Sequence, residues 1–202
     1  MPSLVILSES LFGKIVTDFD SAVYALVFTY LSEELTRIMR FITFLGSDWG
    51  LSIISLIILF AAYISKERKY LLRSLMVLVN LAAGASLNYI LKQLFHRPRP
   101  DLHRLIEIGG YSFPSGHSMS SMIFYGFLIY LIVRYIKHWF KYTIAGVLCL
   151  LVLAIGISRI FLGVHYASDV LGAYIFGLGW LIIYIRFSDK LIHFVKRILK
   201  YE

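Results

Sequence analysis

The sequence holds one cysteine, Cys149, and it sits inside an apolar run. That excludes an internal disulfide and a cysteine-based zinc site. Charge is scarce too: 16% of the 202 residues are Asp, Glu, Lys or Arg, against about 25% in an ordinary soluble domain. Acidic residues are the scarcer sign, 12 against 20 basic, for a formal net charge of +8. No cleavable signal peptide is read at the start, because Ser8, Glu9 and Ser10 break the short apolar core of MPSLVILSESLFGK. The six histidines include no pair at H-E-x-x-H spacing, so they suggest no metal site.

Apolar residues fill the space those absences leave. They make up 59% of the chain, and the mean hydropathy is +0.77. The expectation is an all-α membrane protein, residues 1–202 forming one integral membrane domain. In such a chain an excess of Lys and Arg reads as cytoplasmic loop charge, with no nucleic acid implied.

Five apolar runs have the length of a membrane span: Trp49 to Ile64, Tyr70 to about Leu91, Met119 to Ile136, Tyr142 to about Phe161, and Val170 to Phe187. The first needs residues before it to reach full length. Leu11 to Leu31 is long enough for a sixth, but Lys14, Asp18 and Asp20 interrupt it. The expected architecture is therefore a bundle of about six transmembrane helices with a weak N-terminal member. Leu31, Leu35, Ile38 and Ile42 fall on one helical face, which suits either an interfacial helix or a short helix packed on the bundle. Ala173 and Gly177 form a small-xxx-small pair, read as ordinary helix packing.

Basic residues orient the bundle. Lys66, Arg68, Lys69 and Arg73 flank one turn; Arg134, Lys137 and Lys141 flank another; Arg186, Lys190, Lys196, Arg197 and Lys200 follow the last span. Counting crossings puts all three groups on one side, which the positive-inside rule makes cytoplasmic. His138 and His193 share that side and read as solvated, while His96 and His103 read as surface residues of an outer loop.

Two polar stretches then meet on the outer face: Lys92 to Ser118, and Ser158 to Asp169. Ionisable groups at the edge of hydrocarbon are costly and mark function by default. Lys92, Arg97 and Arg99 gather positive charge where an anionic headgroup sits, and Arg159 joins them from the second stretch. Guanidinium groups suit phosphate oxygens through paired hydrogen bonds. Pro114-Ser115-Gly116-His117 opens a helix: Ser115 can cap it, Gly116 lets the backbone approach a ligand, and a helix start binds anions. His165 and Asp169 are four residues apart, so on a helix the carboxylate orients the imidazole. Cations, a helix start and two histidines are what phosphoryl transfer needs. His165 can attack phosphorus, and His117 can protonate the departing alkoxide and later take a proton from water.

Three motifs carry a family resemblance: Lys92-x6-Arg99-Pro100, Pro114-Ser115-Gly116-His117, and Ser158-Arg159-x5-His165-x3-Asp169. Together, and in this order, they resemble the signature of the type 2 phosphatidic acid phosphatase family. The resemblance covers about Gly46 to Phe187. It implies a helical membrane bundle, hydrolysis without metal or other cofactor, and an active site on the extracytoplasmic side of the cell membrane. It implies His165 as nucleophile, Asp169 as its partner and His117 as acid and base. Lys92, Arg99, Ser115, Gly116 and Arg159 then surround the phosphate. The six-residue spacing of the motif selects Arg99 over Arg97.

The compact length is similar to small bacterial members that convert phosphatidylglycerophosphate to phosphatidylglycerol. It is equally similar to those acting on undecaprenyl pyrophosphate, or broadly on phosphatidic acid and diacylglycerol pyrophosphate. The partners implied are a membrane lipid phosphate and the bilayer, with no nucleic acid and no obligate protein partner. Vanadate-dependent haloperoxidases share the motifs but are soluble, and the five spans argue against them. A non-enzymatic anion transporter is the remaining alternative.

Overall fold

The computed structural model describes residues 2–101 and 103–198. Seven helices run through them in chain order: α1 Pro2–Phe28, α2 Glu33–Leu45, α3 Asp48–Ile64, α4 Arg68–Phe95, α5 Gly116–Tyr135, α6 Lys141–Phe161 and α7 Ala167–Ile198. No strand occurs among the described residues. Lys200, counted with the last basic group, lies outside them, as do the side chains of His193 and Lys196.

Each of the five sequence-predicted spans becomes a helix. Four of them, α4, α5, α6 and the Ala167–Ile192 part of α7, are long and apolar enough to cross a membrane alone. The run starting at Trp49 reaches full length only with α2, from which α3 is bent by 52°. The break has a local cause. Ser47 is the N-cap of α3 and accepts from Gly50 N at 3.0 Å, closing one helix and starting the next. Ser32 does the same for α2, accepting from Leu35 N at 3.1 Å.

The α2 segment packs on the bundle against α6. Its predicted face is correct at Leu31 and Leu35, which cover Phe161 and Leu162, and at Ile42. Ile38 is instead 53% exposed, and Met39 takes the inward position. The difference of one residue follows from 3.6-residue periodicity: positions 35 and 39 align better than 35 and 38 on a face this narrow.

Helix α1 is a single helix of 27 residues, about 40 Å at 1.5 Å per residue. It lies against α6 and α7. Val23 and Val27 pack on Ile160, Ala167 and Val170, so the segment with the interrupting charges packs on the bundle. The described helices long and apolar enough to cross a membrane number four, or five with the bent α2–α3 pair.

Helix α5 is the hub and touches α3, α4, α6 and α7. Its inner side buries Met119, Ile123, Phe124 and Phe127 completely. Buried amides tie the helices at fixed heights. Asn80 on α4 donates to Ile123 O at 3.0 Å and accepts from Trp180 Nε1 at 2.9 Å. Ala173 and Gly177 face Met119 and Met122, as ordinary helix packing requires. Large side chains such as Trp49, Phe60, Leu150, Ile175 and Ile183 stay exposed around the outside. In water so much apolar surface is a liability, and a bilayer removes it.

The alternating helix directions put both polar stretches at one end of the bundle. Ser115 N donates to Asp169 O at 3.2 Å, and Leu105 N donates to Leu162 O at 3.1 Å. The turns holding Lys66–Arg73 and Arg134–Lys141 fall at the other end.

Candidate active site

The site is assembled from the ends of four helices. Lys92 comes from the last turn of α4, Gly116 and His117 open α5, Arg159 closes α6, and Asp169 lies in the first turn of α7. His165 stands on the short connection between α6 and α7, and Arg99 on the long loop between α4 and α5.

That short connection turns sharply because Gly163 takes φ +70°, a left-handed conformation natural to glycine. A Cβ there would lie 2.5 Å from His103 O. Phe113, just before the Pro114-Ser115 turn, fits over Gly172 on α7, where a Cβ would meet its ring at 2.4 Å. These two close approaches bring the loops together over the helix ends.

His165 is buried. Its Nε2 lies 3.1 Å from Arg99 Nη1. A guanidinium only donates, so Nε2 holds a lone pair and the ring hydrogen sits on Nδ1. Nδ1 points toward Asp169 Oδ2, 3.5 Å away, with Ser112 Oγ beside both. Ser112 Oγ donates to Asp169 Oδ2 at 2.5 Å and stands 3.3 Å from His165 Nδ1. Burial pushes the His165 imidazole down to about 4, with Arg99 and Arg159 adding to the effect and Asp169 opposing it. The ring is therefore neutral at neutral pH.

The cations converge from three sides. Arg99 also donates through Nη1 to Val164 O and through Nε to Gly110 O, both at 3.0 Å. Lys92 Nζ donates to Tyr111 O at 2.6 Å. Arg159 is only 1% exposed and donates through Nη1 to Thr43 Oγ1 at 2.7 Å. Its Nε is buried with no partner among the described residues. A buried donor without an acceptor is costly, and an anion held between these cations would satisfy it. His117 is close enough to interact electrostatically with Arg159, His165, Arg99 and Lys92.

One local expectation differs. Ser115 occupies the N-cap position of α5, but its hydroxyl makes no capping bond. It pairs with Ser118 Oγ at 2.9 Å. The N–H groups of the first turn are thus left without an intrahelical acceptor. Gly116 keeps this turn open beside Asn88 Oδ1, which a Cβ would approach to 3.4 Å.

The eight sequence-selected residues thus gather at one end of the bundle, and four more join them. Arg97, set aside by motif spacing, donates to Asp169 Oδ1 at 2.6 Å and to Ser168 Oγ at 2.7 Å. Its other nitrogen donates to Asp20 Oδ2 at 2.8 Å. Burial alone lowers the Arg97 pKa, but the two carboxylates more than offset that and raise it. Asp20, Ser112 and Thr43 lie outside the motifs. For Asp20 a signal existed: an acidic residue in an apolar segment, which marks function by default. Ser112 and Thr43 carry no comparable signal. A crevice of about 390 Å³ opens beside the site, between α1 at Tyr24 and Ala25 and the loop at Pro98 and Pro100.

Comparison with known proteins identifies the family and the fold. The PAP2 superfamily pattern matches residues 73–193. Phosphatidylglycerophosphatase B of Bacillus subtilis (strain 168) is 34% identical over 195 residues, covering 94% of this chain and 93% of that protein. Undecaprenyl-diphosphatase BcrC of the same organism is 32% identical over 123 residues, 58% of this chain and 59% of its own. The crystal structure of a transmembrane PAP2 type phosphatidylglycerolphosphate phosphatase from Bacillus subtilis superposes with TM-score 0.80 at 29% identity, over 92% of each chain. Aquifex aeolicus LpxE shares the fold, with TM-score 0.64 at 24% identity over 82% of this chain and 93% of that one.

Proposed function

The chain belongs to the PAP2 superfamily, and from that premise we propose that this membrane phosphatase acts through a phosphohistidine on the extracytoplasmic side. Its reaction is hydrolysis of a lipid phosphate. The observation that carries the mechanism is the lone pair of His165 Nε2, fixed by Arg99 on one side of the ring and by Asp169 and Ser112 on the other.

The steps follow from that geometry. Lys92, Arg99, Arg159 and the first-turn N–H groups of α5 hold the phosphate oxygens, with Ser115 and Gly116 shaping that turn. They neutralise the charge that spreads over those oxygens in the transition state. His165 Nε2 attacks phosphorus while the bond to the lipid oxygen breaks, and His117, protonated once the bound phosphate dianion offsets the cations around it, gives its proton to that oxygen. Asp169 stabilises the positive ring that results. Water then attacks the phosphohistidine, His117 takes its proton, and the P–N bond breaks to release phosphate and neutral His165. Cations supply the charge neutralisation here, so the reaction runs without metal.

Sidedness rests on charge. The basic turns at the far end of the bundle mark the cytoplasm, and the site faces away from them. A headgroup at the bundle end leaves its tail in hydrocarbon. The substrate proposed is phosphatidylglycerophosphate, giving phosphatidylglycerol and phosphate, because similarity to phosphatidylglycerophosphatase B runs through nearly the whole chain. The partial match to BcrC supports undecaprenyl pyrophosphate as the second reading.

One set of assays tests these points: phosphate release by the purified protein from phosphatidylglycerophosphate, phosphatidic acid and undecaprenyl pyrophosphate side by side. The first is expected to be turned over best, and full activity is expected in EDTA. His165→Ala is expected to lose nearly all turnover and the acid-labile phosphoenzyme; phosphate release surviving that substitution would sink the mechanism.

A further inference from the structure

The N-terminal helix brings to the site a carboxylate that belongs to none of the three motifs. Asp20 is 6% exposed, and a buried charge is retained only where it is paired and hydrogen-bonded. Its Oδ1 accepts from Ser168 N at 2.8 Å. Its Oδ2 accepts from Ser168 Oγ at 2.7 Å and from Arg97 Nη2 at 2.8 Å. Ser168 N is one of the first-turn donors of α7 that the helix itself leaves unpaired, and a carboxylate there also suits the helix dipole. Asp20 thus ties α1 to the start of the helix that carries Asp169.

Arg97 extends the link. One nitrogen of its fork goes to Asp20, the other to Asp169 Oδ1 at 2.6 Å. The guanidinium lies 4.2 Å from the Tyr166 ring centroid, which holds its plane. With Oδ1 engaged by Arg97, Asp169 turns Oδ2 toward Ser112 Oγ, Tyr166 N (2.9 Å) and His165 Nδ1. Asp20 on α1 thus reaches the Asp169 carboxylate through Arg97, while Ser112 and Tyr166 N hold its other oxygen.

We propose that Asp20 and Arg97 are positioning residues: a clamp from the N-terminal helix that orients Asp169, and through it His165, for attack on phosphorus. The clamp rests on the reading of His165 as nucleophile. It touches no phosphate, so its loss slows the chemical step and leaves binding nearly intact. A misplacement of about 1 Å at a reacting group costs up to about 10²-fold in rate.

Charge gives a readout that packing alone does not. The groups acting directly on His165 are Asp169 on α7, Arg99 on the long loop, Arg159 on α6 and His117 on α5, with Lys92 on α4 facing His117; Arg97 and Asp20 reach His165 only through Asp169. Asp20→Asn removes one negative charge at nearly constant shape, leaving Arg97 paired with Asp169 alone and disfavouring protonation of His165. Arg97→Gln removes the positive charge and favours that protonation. The acid limb of activity is expected to move to lower pH in the first variant and to higher pH in the second.

The experiment uses the full-length protein and phosphatidylglycerophosphate in mixed micelles, with kcat, KM and the pH profile measured for Asp20→Asn, Arg97→Gln, Arg97→Lys and His165→Ala. The clamp predicts kcat lowered about tenfold or more in each of the first two, KM within about twofold, and limbs displaced in opposite directions. Arg97→Lys keeps the charge and loses the fork, so its kcat falls while its limb stays; it also serves if Asp20→Asn does not fold. Wild-type kcat in Asp20→Asn and Arg97→Gln, beside an inactive His165→Ala, overturns the clamp alone. Limbs that move together, or not at all, do the same by reducing the pair to packing. Turnover surviving in His165→Ala overturns the nucleophile and the clamp with it.

Discussion

Arg99 Nη1 donates to His165 Nε2 at 3.1 Å, so one guanidinium both fixes the tautomer of the proposed nucleophile and covers the lone pair that must attack. A phosphate entering the site competes for that donor, and its oxygens are the stronger acceptors because they are charged. In the mechanism proposed, Arg99 turns from the ring to the substrate and uncovers Nε2 as it does so. Arg99→Lys keeps a charge but loses the planar fork and its bonds to Val164 O and Gly110 O. The expected result is a fall in kcat/KM of about 10²-fold, the size typical of losing one transition-state donor, measured by phosphate release under subsaturating lipid.

The pH dependence follows from the buried ring. Burial first, then Arg99 and Arg159, push His165 down to about 4, against about 6.5 for an unperturbed histidine. The attacking form is neutral, so activity is retained as pH falls through 6.5 and is lost as pH falls through about 4. In kcat/KM, once the second ionisation of the substrate phosphate at about pH 6 is factored out, the enzyme's acid limb is expected near pH 4, and an enzyme limb at 6.5 would contradict a buried neutral nucleophile. Stability has the same sign. The unfolded chain binds a proton at this residue below about pH 6.5 while the folded one does not, so acid favours unfolding between those values. The melting temperature should therefore rise from pH 4 to pH 6.5.

Ser112 tests how the His–Asp pair is held. Its hydroxyl stands between Asp169 Oδ2 and His165 Nδ1, which are themselves 3.5 Å apart. Ser112→Ala leaves Asp169 with Arg97 and Tyr166 N as partners, so the carboxylate stays charged and the fold survives. What is lost is the link that keeps the two side chains in register. The expected outcome is kcat lowered about tenfold with a change in unfolding free energy near 1 kcal/mol, the usual worth of one hydrogen bond.

How much of this was legible beforehand differs between residues for physical reasons. The spans were readable because hydrocarbon demands long apolar helices, and α3 through α7 appear where the runs predicted them. The motif residues were readable because cations and histidines beside hydrocarbon need a reason. Ile38 against Met39 was not, since a one-residue choice of helix face depends on what packs there. Arg97 and Asp20 were not, because the first looked like a duplicate of Arg99 and the second like a defect in a span. Their meaning appears only when 77 residues of separation collapse to a 2.8 Å contact. Ser112 shows the same limit from the other side: a loop serine has no signature until a carboxylate and an imidazole close on it.

Gly163 gives a test of the loop that bears the proposed nucleophile, independent of any chemical assignment. Its φ of +70° is strained for any residue with a Cβ. Space is closed as well, since the added carbon would lie 2.5 Å from His103 O and 3.2 Å from Arg104 Cα. Both atoms are backbone and cannot swing aside as a flexible side chain would. Gly163→Ala must therefore displace the strand of loop near His103 or unwind the turn after α6. That region also carries the Leu105 N to Leu162 O bond at 3.1 Å and the contacts of Phe161, Leu162 and Val164 with Leu105 and Ile106. Backbone strain of this kind costs about 1–3 kcal/mol, and the lost loop packing adds to it. The melting temperature of the purified variant is expected to fall by several degrees, with kcat reduced because His165 sits two residues on. A variant that melts like the parent would mean the α6–α7 turn is not held in the conformation described.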